Sequence, residues 1–200
     1  MIFVATNNLA KFEEIKDIMS RYGVTAQMPG MEIDVNEGTV SYEDNARKKA
    51  LYLTSTLGSD AMGEDSGIEV PALGGFPGVI SARFVQGADR NRNAALLDRM
   101  KQLAPAERKA VFKAYAVIAL ADGTCLAGYG ELTGKIIEKP AGENGFGYDP
   151  IFVPDGYDKT LAQMSPEEKN NISHRRKAIE AVIEKYTAYL KISPPSMGGE

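Results

Sequence analysis

The strongest constraint on how this chain can fold lies past its midpoint, where two apolar or alternating runs, residues 111–121 and 125–133, flank Asp122-Gly123. An Asp-Gly pair suits the positive-φ positions of a tight turn whose twist matches that of paired strands, so the pattern predicts a long antiparallel hairpin. Such a hairpin needs cover for its faces, and the rest of the chain offers it. Residues 2–5 read as a short buried strand, and Phe12, Ile15, Met19 and Tyr22 follow at helical spacing up to Gly23. Residues 24–27 and 32–35 are strand candidates around Pro29-Gly30. A helix is predicted from a Ser41 cap to Gly58, along Ala46, Ala50, Leu53 and Leu57. Leu96, Leu97, Met100 and Leu103 mark another, stopped by Pro105, while Ile136-Ile137 and Ile151-Phe152-Val153 are further strands. Ser165-Pro166-Glu167-Glu168 is a capping box with proline at the first helical position, and Ser173 caps a last helix with Ala178, Val182, Tyr186 and Leu190 inward. No repeat or interdomain linker interrupts residues 1–192, and the tail at 193–200, SPPSMGGE, lacks periodicity and is expected to fray.

Composition removes several functions. One cysteine, Cys125, excludes an internal disulfide, and with a single histidine a thiolate or multi-histidine zinc site has too few ligands. Any metal must therefore sit on oxygen, which favours magnesium, manganese or calcium. A net charge of −4 argues against a general nucleic-acid binder, since neutralising a phosphate backbone takes a basic face. No apolar run approaches a membrane span, and residues 1–5 lack the pattern of a secretory signal, so no membrane partner and a cytoplasmic location are expected.

Residues 142–178 nevertheless concentrate the features of an anion site beside a flat ring. The glycines Gly142, Gly145 and Gly147 permit close backbone approach, Tyr148 offers an aromatic face, and Asp149 adds a carboxylate. Lys169, His174, Arg175, Arg176 and Lys177 supply cations matched to phosphate oxygens. The plainer alternative is a glycine turn followed by a solvated helix. Two other places bear on the choice. Thr6-Asn7-Asn8 forms a polar turn before a helix whose first turn carries Lys11, and free amides at a helix start attract anions. The stretch 61–70, AMGEDSGIEV, places Glu64 and Asp65 at a strand end in a tight turn, a common way to aim oxygens at a hard cation; alone, it reads better as an Asx-turn in which Asp65 caps its own loop. Asn45 and Lys49 lie one helical turn apart at the rim of the apolar stripe, and Glu37 precedes them in a glycine-containing loop, free to swing onto a metal.

Taken together and in order, TNNLAK, EDNARKKA, GEDSG, PGVISARF, GFGYDPIF and the SHR element span nearly the whole chain, and the sequence resembles the inosine triphosphate pyrophosphatase family. The resemblance implies an α/β protein of the α+β type, with a long mixed, mostly antiparallel central sheet, flanking helices and two lobes around a substrate cleft. Residues 1–192 would form that single two-lobed domain, usually as a homodimer. It implies hydrolysis of non-standard purine nucleoside triphosphates (ITP, dITP, XTP) to the monophosphate and pyrophosphate, with Mg²⁺ as cofactor. Thr6, Asn7, Asn8, Lys11 and Lys49 would hold the triphosphate, Glu37 and Asp65 the magnesium, and Asp65 would also be the general base. Ser66 would lie next to the substrate; Phe146, Gly147, Tyr148 and Asp149 would frame base and sugar; Lys169, His174 and Arg175 would read the purine or neighbouring phosphates. Glu64 departs from the aspartate of many relatives by one methylene. Water would attack the α-phosphorus, with Lys11 and the metal stabilising the leaving pyrophosphate. The rival readings are a pyrophosphatase for modified pyrimidine or thymidine triphosphates and a non-catalytic nucleotide sensor.

Overall fold

The hairpin forms, and it is the spine of the sheet. The protein is described here by a computed structural model covering residues 1–192, so the fraying expected at 193–200 lies outside the described residues. Among the described residues the order is β1 (Ile2–Val4), α1 (Leu9–Ser20), β2 (Ala26–Gln27), α2 (Tyr42–Leu57), β3 (Ala61–Glu69), α3 (Asp89–Arg99), β4 (Lys109–Ala119), β5 (Cys125–Ile136), β6 (Phe152–Pro154), α4 (Pro166–Ile172) and α5 (His174–Ile192). The sheet runs β2-β1-β3-β4-β5-β6. The first two pairings are parallel and the remaining three antiparallel, which is the mixed, mostly antiparallel sheet expected. β4 and β5 stay in register from Lys109 opposite Lys135 to Ala119 opposite Cys125.

Alternation along β4 assigns the helices to faces. Ala114, Ala116 and Ile118 pack with α1 and α5 residues such as Phe12, Ile15, Ile179 and Val182. Val117 and Ala119 point the other way, onto Ala46 and Ala50 of α2. A second apolar cluster forms towards the other end of the hairpin, from Ile68, Phe112, Leu132, Phe152, Tyr148 and the α3 residue Leu96. The two clusters share the hairpin and leave a cleft between them, the two-lobed arrangement of the resemblance.

Two helices come unusually close to the sheet because glycine lies under them. A Cβ on Gly63 would fall 2.0 Å from the Ala46 carbonyl oxygen, and one on Gly130 would fall 2.2 Å from that of His174 and 2.6 Å from the Ala178 nitrogen. Helix caps follow the sequence: Asn8 Oδ1 accepts from Lys11 N, Ser41 Oγ from Asp44 N, Ser165 Oγ from Glu168 N and Ser173 Oγ from Arg176 N.

Three expectations change. Residues 24–27 give only the two-residue β2, and 32–35 form no strand, because the N–H and C=O of Ile33 are both taken by the Asn7 side chain at 2.8 Å. Glu64 and Asp65 sit inside a nine-residue strand and not in a turn, since β3 pairs with β4 from Ala61 to Glu69. Leu190 is 42% exposed; the neighbouring Tyr189 takes the packed position, and its hydroxyl donates to Asp122 at the hairpin turn.

Gly130→Val should force α5 off the sheet. Overpacking of this kind costs about 1–3 kcal/mol, which for a chain of this size means a fall of roughly 2–12 °C in Tm by thermal unfolding. An unchanged Tm would mean that the helix is not held at this distance.

Candidate active site

Because successive strand residues face opposite ways, the adjacent Glu64 and Asp65 enter different surroundings. Glu64 lies opposite Ala116 on the α1/α5 face, where Lys11 Nζ stands 2.7 Å from Oε2 and Arg175 Nε 3.2 Å from Oε1. Asp65 lies opposite Tyr115 on the α2 face, where Asn45 Nδ2 donates to Oδ2 at 2.9 Å and Lys49 Nζ approaches Oδ1 at 3.5 Å. Burial raises both carboxyls. At Glu64 the Arg175 and Lys11 charges outweigh it and hold the group well below the usual carboxylate range, whereas at Asp65 burial prevails over Lys49 and Lys11 and the carboxyl is raised. Neighbours in sequence thus become a fixed anion and a more basic carboxylate.

The two faces meet at an open edge. β1 pairs with β3 only at Ala61 and Met62, so from Gly63 onwards that side of β3 has no strand beside it among the described residues. The Lys49 ammonium donates to the Glu64 carbonyl oxygen at 3.1 Å. Lys11 reaches in from the first turn of α1, and its charge is felt by Glu64, Asp65 and Glu37 alike. Glu37 completes this end: its Oε1 is 2.5 Å from Lys49 Nζ and its Oε2 2.7 Å from Arg83 Nη1, so Lys49, despite burial, is held above its ordinary pKa by Asp65 and Glu37.

These residues fit a magnesium ion in kind. Two hard oxygen donors, Glu37 and Asp65, converge on a point that attracts a positive charge, the Lys49 ammonium. No group of three or more His, Cys, Asp or Glu side chains suited to a metal occurs among the described residues. A donor pair of this type suits an ion that keeps several waters and takes further ligands from phosphate oxygens.

The side chains of the polar turn are engaged locally. Asn7 spends its side chain on Ile33, Asn8 caps α1, and Thr6 Oγ1 accepts from Asn8 N at 3.2 Å. What this turn presents is the amino end of the twelve-residue α1.

The cleft itself is lined by Asn8, Lys11, Ser66, Phe146, Gly147, Tyr148, Asp149, Lys169, His174 and Arg175, all expected from the sequence. Glu37, Lys49 and Asp65 stand outside this lining, on the α2 side of β3. The His174 ring stacks on Phe112 at 4.6 Å between centroids with 7° between planes. Burial, helped by the Arg175 charge, drives its pKa well below the usual value, so the imidazole is neutral near pH 7. Lys169 Nζ lies 4.5 Å from the Phe146 ring centroid, and the Tyr148 hydroxyl donates to the Ser81 carbonyl at 2.6 Å.

Sequence reasoning missed Glu14. It is ion-paired to both Lys169 and Arg175, and so joins an alternating series Asp149–Lys169–Glu14–Arg175–Glu64–Lys11 across the cleft. Its one sequence signal is its place three residues after Lys11, on the same side of α1. Arg83, Phe112, Asp89 and Arg92 were missed as well.

The family model of the Ham1 family matches residues 2–185. A dITP/XTP pyrophosphatase of Thermus thermophilus is 42% identical over 198 residues, covering 97% of this chain and 93% of the relative. One of Aquifex aeolicus is 38% identical over 191 residues, covering 91% and 94%. Among solved structures, the Staphylococcus aureus Ham1 protein aligns with a TM-score of 0.77 at 33% identity, covering 95% of this chain and 97% of that one. A HAM1 protein from Coxiella burnetii gives 0.79 at 28% identity, covering 96% and 98%. Motifs, sheet and relatives agree, and the chain belongs to the Ham1 family.

Proposed function

We propose that this protein hydrolyses non-standard purine nucleoside triphosphates of the ITP, dITP and XTP kind to the monophosphate and pyrophosphate. The observation that carries the reading is the meeting, at the open edge of β3, of three carboxylates, Glu37, Glu64 and Asp65, and two lysines, Lys11 and Lys49, beside a cleft lined with aromatic rings. The substrate's base would occupy the cleft between the lobes. Its triphosphate would pass Lys11 towards the α2 side, where Lys49 offers a second cation. Glu37 and Asp65 would hold magnesium, which when bound supplies positive charge against the phosphate oxygens.

The chemistry asked of the chain's own residues is modest. Water attacks the α-phosphorus, the bond to the bridging oxygen of pyrophosphate breaks, and Asp65 accepts the water's proton; of the two adjacent carboxylates it is the one not tied up by Lys11 and Arg175. Lys11 carries part of the charge that builds on the leaving pyrophosphate. Glu64 stays ionised and orients Lys11 and Arg175. On the base side, neutral His174 can donate one N–H to the six-position oxygen of hypoxanthine or xanthine, where the amino group of adenine would leave that donor unmatched. The substrate pool assigns the work to the cytoplasm, with a small molecule and not a nucleic acid as partner, and the family resemblance carries a homodimer.

Asp65→Asn should lower kcat for ITP about 10²–10⁴-fold, read as pyrophosphate release, with Tm near that of the wild type. Full activity in this variant would remove Asp65 from the chemistry. Chelation of divalent ions should abolish turnover and added Mg²⁺ restore it; turnover that persists under chelation would exclude the assignment of Glu37 and Asp65 to an ion. His174→Ala should narrow the ratio of kcat/KM for ITP over ATP by about tenfold, the worth of one unmatched buried polar group. Equal losses on both substrates would sink the role given to the imidazole.

A further inference from the structure

The loop between the two aromatic residues of the cleft is held from outside, by the first turn of α3. Gly147 lies between Phe146 and Tyr148 with φ +64°, a conformation open to glycine but not to most residues. Its N–H donates to Asp89 Oδ2 at 2.6 Å, and its C=O accepts from Asn93 Nδ2 at 3.1 Å. Residues four apart on one helix face thus grip both polar groups of a single residue. Asp89 is in turn paired through its other oxygen with Arg92, whose Nη1 donates to the Gly87 carbonyl at 2.7 Å. A carboxylate in a helix's first turn is favoured by the free amides there, and Asp89 occupies that place in α3.

The neighbouring rings are fixed by other partners. Phe146 N donates to Asp149 at 2.9 Å, and the Tyr148 hydroxyl is bonded to Ser81. Gly147 is the joint between them, and both of its hydrogen bonds here go to α3. Asp89 and Arg92 line the same cleft as Phe146 and Tyr148, so this clamp stands beside the space that the functional reading gives to the base.

We propose that Asp89, backed by Asn93, is a positioning residue for base recognition, acting through Gly147 to set the spacing and tilt of the Phe146 and Tyr148 rings. The proposal rests on the functional reading given above. It separates the two ends of the substrate: the clamp governs the base and leaves the phosphate end alone.

Asp89→Ala, Asp89→Asn and the wild type would be compared in the full chain with Mg²⁺. Asp89→Ala should raise KM for ITP about tenfold or more, as expected for loss of a hydrogen bond to a charged group, with kcat within about twofold. Inhibition by pyrophosphate, which lacks a base, should be unchanged. Asp89→Asn keeps an oxygen that can accept from Gly147 and should recover most of the affinity. Equal weakening towards ITP and pyrophosphate, a fall in kcat at constant KM, or no rescue by asparagine would overturn the proposal, as would an Asp89→Ala enzyme indistinguishable from wild type. If the wild type turns over no ITP, the functional reading fails on its own. The clamp is then judged by inosine monophosphate binding: about tenfold weaker binding to Asp89→Ala supports it, and equal or absent binding in both proteins overturns it.

Discussion

An alternating chain of buried charge runs across the cleft of this molecule. From Asp149 through Lys169, Glu14, Arg175 and Glu64 to Lys11, each charge is flanked by its opposite, and the six residues come from five different segments. Desolvation makes such a chain a weak source of net stability, but breaking one link strands a buried charge at a cost of about 3–5 kcal/mol. Its main effect is therefore on arrangement. α1, α4 and α5 can pack around β3 in only one register without leaving a carboxylate or a guanidinium unpaired.

Glycine makes that register possible. With no side chain at Gly63 and Gly130, α2 and α5 settle directly on the sheet, and the side chains at their inner margins, Asn45 and Lys49 on one face and His174 and Arg175 on the other, arrive at β3 from opposite sides. The parallel strand β1 stops after two pairings with β3, which leaves the edge open at the point where those side chains arrive. Ligands of open α/β sheets commonly gather beyond the ends of parallel strands, and the same geometry operates here although most of the sheet is antiparallel.

How much of this was legible in the sequence varies with the range of the forces involved. Asp122-Gly123 and the capping residues Asn8, Ser41 and Ser165 act within a few residues of themselves, and the elements they predict form. The strand pattern of 32–35 was overruled by Asn7, twenty-six positions away, whose side chain takes the hydrogen bonds a neighbouring strand would have used. Glu64 and Asp65 were legible as functional carboxylates but misplaced in a turn, because Ser66-Gly67 resembles turn chemistry; Gly67 is instead needed for the approach of the Gly78 carbonyl and Ser81. Asp89 was not legible at all, and Glu14 only through its place three residues after Lys11. Each sits among charged residues on a helix surface, as solvated side chains do, and acquires its partners only when α4 and α5, or the glycine loop, fold against it.

The paired state of the cations in and beside the cleft bears on how an acidic protein would receive a polyanion under the proposed function. Lys11, Lys49, Lys169 and Arg175 all have carboxylates within reach, so the site is close to neutral before anything binds. An incoming phosphate chain therefore meets no bare basic surface of the kind that gathers nucleic acids indiscriminately. It has to trade places with carboxylates already seated, and each lysine it claims leaves behind an oxygen donor that a divalent cation can use. Under the proposed function, admission to the site would be an exchange of counter-ions, which would favour a ligand that arrives with its metal over an anion that arrives alone.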